Sequence, residues 1–145
     1  RDGNEIYHYE DHNLITEDGV EFLFKQVFQT PTTGTNATWI ALTTSSASPD
    51  DDDASLPSEI TAGGLQRALG TVSGVPTGSN HNDDNLVISK TFTASQSFTG
   101  VQRAGLFTAS SGGTMFATNT FSSVNLASGD QLTITWTIDL GLSLS

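Results

Sequence analysis

The chain has 145 residues and a mass of 15.3 kDa, enough to bury one core without help from metals or disulfides, and it holds no cysteine. That excludes a disulfide framework and a thiolate metal site. Sixteen acidic against five basic residues give a formal charge of −11, a field that repels a nucleic-acid backbone, and Arg1, Lys25, Arg67, Lys90 and Arg103 are too dispersed to form a basic patch.

No run approaches the roughly 18 apolar residues of a membrane span, and the opening RDGNEIYHYED is too polar for a signal peptide. Neither nucleic acid nor membrane is therefore expected as a partner. With Arg rather than Met at position 1, a leader ahead of it stays open. The acid excess and the scarcity of lysine suit a surface hydrated at high salt, so a halophilic source is one reading. An acidic, solubility-tuned surface from any organism is the other.

In chain order, residues 1–13 carry a short extended island, Ile6-Tyr7-His8-Tyr9, inside a polar segment that reads as an arm or an edge strand. From Thr16 the period changes. Val20, Leu23, Phe24, Val27 and Phe28 fall at i, i+3, i+4, i+7 and i+8, the apolar stripe of an amphipathic helix expected to close one face or end of a sheet. Asn13 or Thr16 caps it, Glu17 and Asp18 suit its positive end, Lys25 lies nearer the opposite end, and Pro31 stops it.

Residues 38–44 read as a strand, and 45–58, SSASPDDDDASLPS, as a polar loop too charged to pack. The run within 63–75 reads as one strand despite its glycines, and 76–85 as a second soft loop. In LVISKTFTA, Leu86, Ile88, Phe92 and Ala94 share a face with Lys90, which places that lysine at an edge or near the rim.

The last third is the most regular. Leu132, Ile134, Trp136, Ile138 and Leu140 alternate with Thr133, Thr135, Thr137 and Asp139, the period of a strand with an apolar and a threonine face. Two glycine turns, Ser110-Ser111-Gly112-Gly113 and Ala127-Ser128-Gly129-Asp130, divide three consecutive antiparallel strands over 103–109, 114–122 and 131–140. The sum is a mainly β protein: one antiparallel β-sandwich domain over 1–145, of about six or seven strands with one N-terminal amphipathic helix, residues 1–13 forming an extended arm.

Candidate chemistry is thin. Asp50-Asp51-Asp52-Asp53 offers oxygen ligands for a hard cation, but a calcium loop interleaves its acids with turn residues, whereas four adjacent acids point in different directions. His81-Asn82-Asp83-Asp84 offers a nitrogen and two carboxylates but has the composition of a turn. His8 and His12 stand about 13 Å apart on an extended chain, too far to share a metal.

No Gly-x-Ser-x-Gly elbow accompanies the serines, and Gly112-Gly113 lacks the lysine of a phosphate loop. Phe92, Phe107, Phe116, Phe121 and Trp136 fall in strands and read as core, while Tyr7, Tyr9 and Trp39 are less determined and leave room for a sugar-stacking platform. No catalytic, cofactor-binding or metal residue is assigned, and no cofactor is expected.

Two segments carry a resemblance. Asn13-Leu14-Ile15-Thr16-x-x-Gly19-Val20 leads into the helix. The other segment comprises Ala104-Gly105-Leu106-Phe107, Gly112 to Ala117, Phe121, Val124 and Gly129-Asp130-x-Leu132-x-Ile134-x-Trp136-x-Ile138. Together they span about half the chain and are similar to small accessory structural proteins of tailed bacterial or archaeal viruses. The resemblance implies a non-enzymatic virion protein on the tail, baseplate or capsid, an oligomer whose partners are copies of itself and other virion proteins. The acidic insertion at 45–58 has no counterpart in it. The second reading, from another class, is a glycan- or cell-surface-binding β-sandwich module with a host-surface glycan as partner.

Overall fold

The computed structural model describes residues 14–28, 36–73 and 85–139. The elements are β1 (Leu14–Ile15), α1 (Glu17–Phe28), β2 (Trp39–Thr43), β3 (Ala68–Leu69), β4 (Thr71–Ser73), β5 (Asn85–Thr93), β6 (Phe98–Phe107), β7 (Met115–Leu126) and β8 (Gln131–Asp139). They form two packed antiparallel sheets, a five-stranded one in the order β1-β7-β6-β2-β3 and a three-stranded one in the order β4-β5-β8. The expected sandwich with one N-terminal helix is therefore the observed fold. No described helix is long and apolar enough to cross a membrane.

The core lies between the sheets. Ile40, Leu42, Ile88, Phe92, Leu106, Leu132 and Trp136 are buried there. The alternation read over β8 holds, since Leu132 and Trp136 are buried while Ile134 and Ile138 pack against the same cluster. Burying each such side chain contributes roughly 1.5–3 kcal/mol, so this cluster carries most of the fold's stability.

Three features depart from the sequence reading. The run over 63–75 is two short strands, because the chain changes sheets at Gly70: β3 pairs with β2, and β4 with β5. The Gly70 N–H donates to the Thr38 carbonyl at 2.7 Å, and a Cβ there would lie 2.6 Å from the Ile88 side chain, so the crossing needs glycine. With β1 added, eight strands are described where six or seven were expected.

The second departure is the turn at 127–130. β6 and β7 form the expected hairpin, but β8 leaves β7 and pairs with β5 in the other sheet, from Thr93↔Gln131 to Asn85↔Asp139. The turn is an arch between sheets. Asp130 is buried, its carboxylate accepts the Ala127 N–H at 2.9 Å, and Gly129 donates to the Ala94 carbonyl at 2.7 Å. Those bonds tie the arch to the end of β5 rather than to β7, which decides the sheet β8 enters. Lys90 stands opposite Ile134 on β5, half-buried in the central strand of its sheet and so not at a sheet edge.

The third departure is the face of α1. Val20 and Leu23 were expected to pack inward, yet they are 42% and 39% exposed. Among the described side chains of α1 and its cap, the inward ones are Thr16, Gly19 and Phe22, and the other stripe residues, Phe24, Val27 and Phe28, lie outside the described side chains. Between Leu106 and Phe107 the β6–β7 register shifts, so one partner pair ends at Ala117 and the next begins at Met115. This bulge leaves Phe116 unpaired and turned toward the helix, where its ring meets Phe22 edge-on at 6.3 Å.

Thr16 is the helix cap: its hydroxyl accepts the Gly19 N–H at 3.0 Å and donates to the Met115 carbonyl. Gly19 fits so closely that a Cβ would stand 2.1 Å from the Phe116 carbonyl oxygen. Small residues at this contact let the helix lie directly on the backbone of β7. The apolar period of the sequence does not register them.

Candidate functional site

The loop read as too charged to pack is packed. It lies over the outer face of the five-stranded sheet, where Leu56 covers Ala41, Phe107 and Met115 in a second small core with Trp39 against its side. Gly105 leaves room for this cover, since a Cβ there would come 2.8 Å from the Phe107 ring and 3.5 Å from Leu56. The Thr43 hydroxyl donates toward the carbonyls of Pro57 and Ser58 and accepts the Ser45 N–H at 3.0 Å. Ile60 then donates to the Leu42 carbonyl at 2.8 Å, so the loop returns along β2.

Beneath the loop lies Arg103, 1% exposed and, among the described residues, the largest fully buried side chain. A guanidinium there is tolerable only if its donors are met. Its Nε donates to Thr118 Oγ1 at 2.9 Å, Nη1 to the Ala47 carbonyl at 3.3 Å, and Nη2 to the Asp53 carboxylate. The backbone N–H of Asp50 and then the Arg103 guanidinium hold the Asp53 carboxyl below the usual carboxylate range, against partial burial that acts the other way. One member of the tetrad is thus a structural ion pair, a role hidden in the sequence because its partner lies fifty residues away.

The other three acids converge instead of pointing apart. One carboxylate oxygen each from Asp50, Asp51 and Asp52 lies within 4.8 Å of the others, and all three residues are exposed. Much of the geometry is a self-capped turn: Asp52 N–H donates to Asp50 Oδ1 at 3.1 Å and Asp50 N–H to Asp53 Oδ2 at 3.0 Å. Glu17 joins the cluster, its N–H donating to the Asp51 carbonyl at 2.9 Å. The Asp52 carboxylate, and after it Asp51, raise the Glu17 carboxyl above its ordinary value. Chemically this pole has the hard oxygens a divalent cation takes, on an exposed turn.

A second arginine clamps the β6–β7 hairpin. Arg67 forms a two-pronged pair with Glu59 at 2.9 and 2.7 Å, donates to the carbonyls of Ala109 and Gly112 at 2.9 and 2.8 Å, and stacks 3.6 Å from the Phe107 ring centroid. Gly112 and Gly113 adopt φ of 60° and 72° in that turn, as the hairpin reading requires.

Trp39 is half-buried against the second core, and Trp136 is buried between the sheets, its indole N–H without a hydrogen-bond partner. Phe92, Phe107 and Phe116 are buried and Phe121 packs against the main core, as read from their strands. His8, His12, Tyr7, Tyr9 and the 81–84 cluster lie outside the described residues. Compared with protein-family models, curated proteins and solved structures, the chain gives no match.

What the surface offers beyond the acidic pole is contact area. Leu14 and Ile15 on the edge strand β1 of the five-stranded sheet, and Val20 and Leu23 on α1, are exposed. Among the described residues β7 is paired on that side only through Ala117 and Thr118, and β8 is paired only with β5.

Proposed function

We propose that the protein is a non-enzymatic virion structural protein of a tailed virus, working as an oligomer on the tail, baseplate or capsid. The resemblance of the segments around Leu14 to Val20 and Ala104 to Ile138 supports this reading. The structural observation that carries it lies on the sandwich's surface. Among the described residues β8 pairs only with β5 and so stands at the end of its sheet, while Leu14 and Ile15 of the edge strand β1 and Val20 and Leu23 of α1 are exposed. Strands at the end of a sheet and exposed apolar side chains are means by which β-proteins bind one another.

Copies of this chain and other virion proteins are its partners on this reading. Mass measurement in solution, with negative-stain imaging and protein composition of purified particles, tests it. Oligomers and a fixed copy number per particle are expected; a strict monomer found in no particle overturns it.

A further inference from the structure

We propose that the outward face of α1, with the aspartate turn beside it, docks a partner protein that presents basic residues around an apolar centre. The proposal rests on the reading above and deepens it, naming a surface and the chemistry of a partner other than a second copy of this chain.

The apolar half of the surface is Val20 and Leu23. They lie three positions apart, which makes them neighbours on a helix surface, and they are 42% and 39% exposed. α1 is seated on β7 through Gly19, which lies against the Phe116 carbonyl, and Phe22, whose ring meets that of Phe116. Those contacts hold the helix in place without using Val20 or Leu23.

The acidic half identifies the partner. Glu17, Asp18 and Glu21 are exposed on the same helix, and Glu17 stands one turn from both Val20 and Glu21. The turn at 50–53 adds the exposed Asp50, Asp51 and Asp52, tied to the helix where the Glu17 N–H donates to the Asp51 carbonyl at 2.9 Å. Of the other acids with described side chains, Asp53 and Glu59 are paired with Arg103 and Arg67, and Asp130 is buried.

Among the described side chains no lysine or arginine lies on α1 or in the 45–58 loop, the side chain of Lys25 being outside them. Asp52 and Asp51 crowd Glu17 enough to raise its carboxyl above the ordinary value. A cationic neighbour relieves that repulsion, whereas water only screens it.

The same charge selects against other occupants. Two copies meeting through α1 would set carboxylates against carboxylates, and an anionic bilayer or a phosphate backbone is repelled as well. A small cation at the aspartate turn leaves Val20 and Leu23 in water. Basic residues around an apolar centre use both halves.

Size sets the strength. Twelve residues at about 1.5 Å each make α1 about 18 Å long. Such a face buries less than the roughly 800 Å² per partner of a standard contact, so binding is weak and strongly salt-dependent.

The probe that tests this is a synthetic helical peptide with leucines on one face and lysines around them. Its comparator has the same composition in scrambled order, with the charge but no apolar face. Calorimetric titration onto the full chain is expected to show at least tenfold tighter binding of the amphipathic peptide, weakening at least tenfold between about 50 and 500 mM salt. Val20→Ser and Leu23→Ser should each weaken it at least fivefold and leave the scrambled peptide unaffected. Leu69→Ser, at a leucine 54% exposed on β3, should change it less than twofold. Glu17→Gln combined with Glu21→Gln should weaken both peptides and flatten the salt dependence. Thermal unfolding of each variant separates lost docking from lost fold.

Equal binding of the two peptides overturns the proposal, because charge alone then suffices. So does unchanged binding in folded Leu23→Ser, or an equal loss in Leu69→Ser. Self-association in sedimentation velocity that Leu23→Ser abolishes overturns it in favour of a second copy. If the peptide result fails while the protein is found at fixed copy number in purified particles, the virion reading stands without this surface. If the protein is in no particle, that reading falls, and the peptide result carries the surface by itself.

Discussion

Replacing Asp53 by Asn keeps the shape of the side chain and removes the charge opposite Arg103, so it asks what anchors the acidic loop. Breaking a fully buried ion pair costs about 3–5 kcal/mol, because the surviving charge stays in a poor solvent. Here the Asp53 side chain is 29% exposed while Arg103 is 1% exposed, so water screens one partner and not the other. Arg103 also keeps Thr118 and Ala47 as acceptors.

A discount of about half brings the expected cost of Asp53→Asn to roughly 2 kcal/mol. At roughly 2–4 °C per kcal/mol for a domain of this size, the melting temperature should fall by about 6 °C. Arg103→Met removes the buried charge itself and keeps much of the volume, and in that background the Asp53→Asn substitution should cost little. Chemical denaturation of the four proteins yields the coupling energy, expected near 1.5 kcal/mol or more.

Acidity provides a second reading of the same contact. Asp53 has a folded-state pKa below its unfolded value, so the contribution is present above that unfolded value, near 3.8, and is lost as pH falls through the folded pKa. Wild type should lose stability in that window and Asp53→Asn should not. A coupling near zero, with Asp53→Asn costing under about 0.5 kcal/mol, would show a solvated loop and refute the anchoring argument.

Gly19→Ala should destabilise by about 2 kcal/mol through a Cβ 2.1 Å from the Phe116 carbonyl, although alanine is the better helix former; calorimetry showing stabilisation would remove the close helix contact. Arg67→Lys cannot keep the two-pronged Glu59 pair together with the Ala109 and Gly112 carbonyls. It should cost about 1–2 kcal/mol and raise amide exchange within 108–114, an effect absent if the clamp is decorative. Glu17 titrates above its ordinary value, so its charge opposes folding increasingly as pH rises from 4.5 through the folded pKa. The stability difference between wild type and Glu17→Gln should move against wild type over that window and shrink in high salt. An acidic surface adapted to salt should lose melting temperature as salt is withdrawn; a flat titration favours the plain solubility reading.

The sandwich was legible because alternation over Leu132 to Ile138 and over Ile88 to Phe92 is a local signal, and local signals survive in a single sequence. The helix was legible as a helix, whereas the exposure of Val20 and Leu23 in its first turns was not. Apolar periodicity favours Val20 and Leu23, whereas among the described side chains the contact is made by Thr16, Gly19 and Phe22 against a bulge that only the β6–β7 register creates.

The acidic loop misleads for a related reason. Four aspartates read as solvated until Arg103 is found under them, and an arginine in the middle of a strand gives no sign of which loop will cover it. Turn chemistry was equally ambiguous at Gly129-Asp130: the same residues suit a hairpin or an arch, and the choice is made by the carbonyl of Ala94, distant in sequence. Of the acidic candidate, its composition was readable, and its division into an ion pair and an exposed cluster was not.

The chain passes between the sheets at three described places, Gly70, residues 94–97 and residues 127–130, with a mechanical consequence. β3 and β4 are joined through one residue, β5 and β6 through four, and β7 and β8 through four. A force that pries the sheets apart at any of these places therefore meets the covalent main chain before it can unzip hydrogen bonds or peel the core. The sandwich is stitched at all three, and a load on its outer faces passes through the whole domain rather than splitting it along the middle.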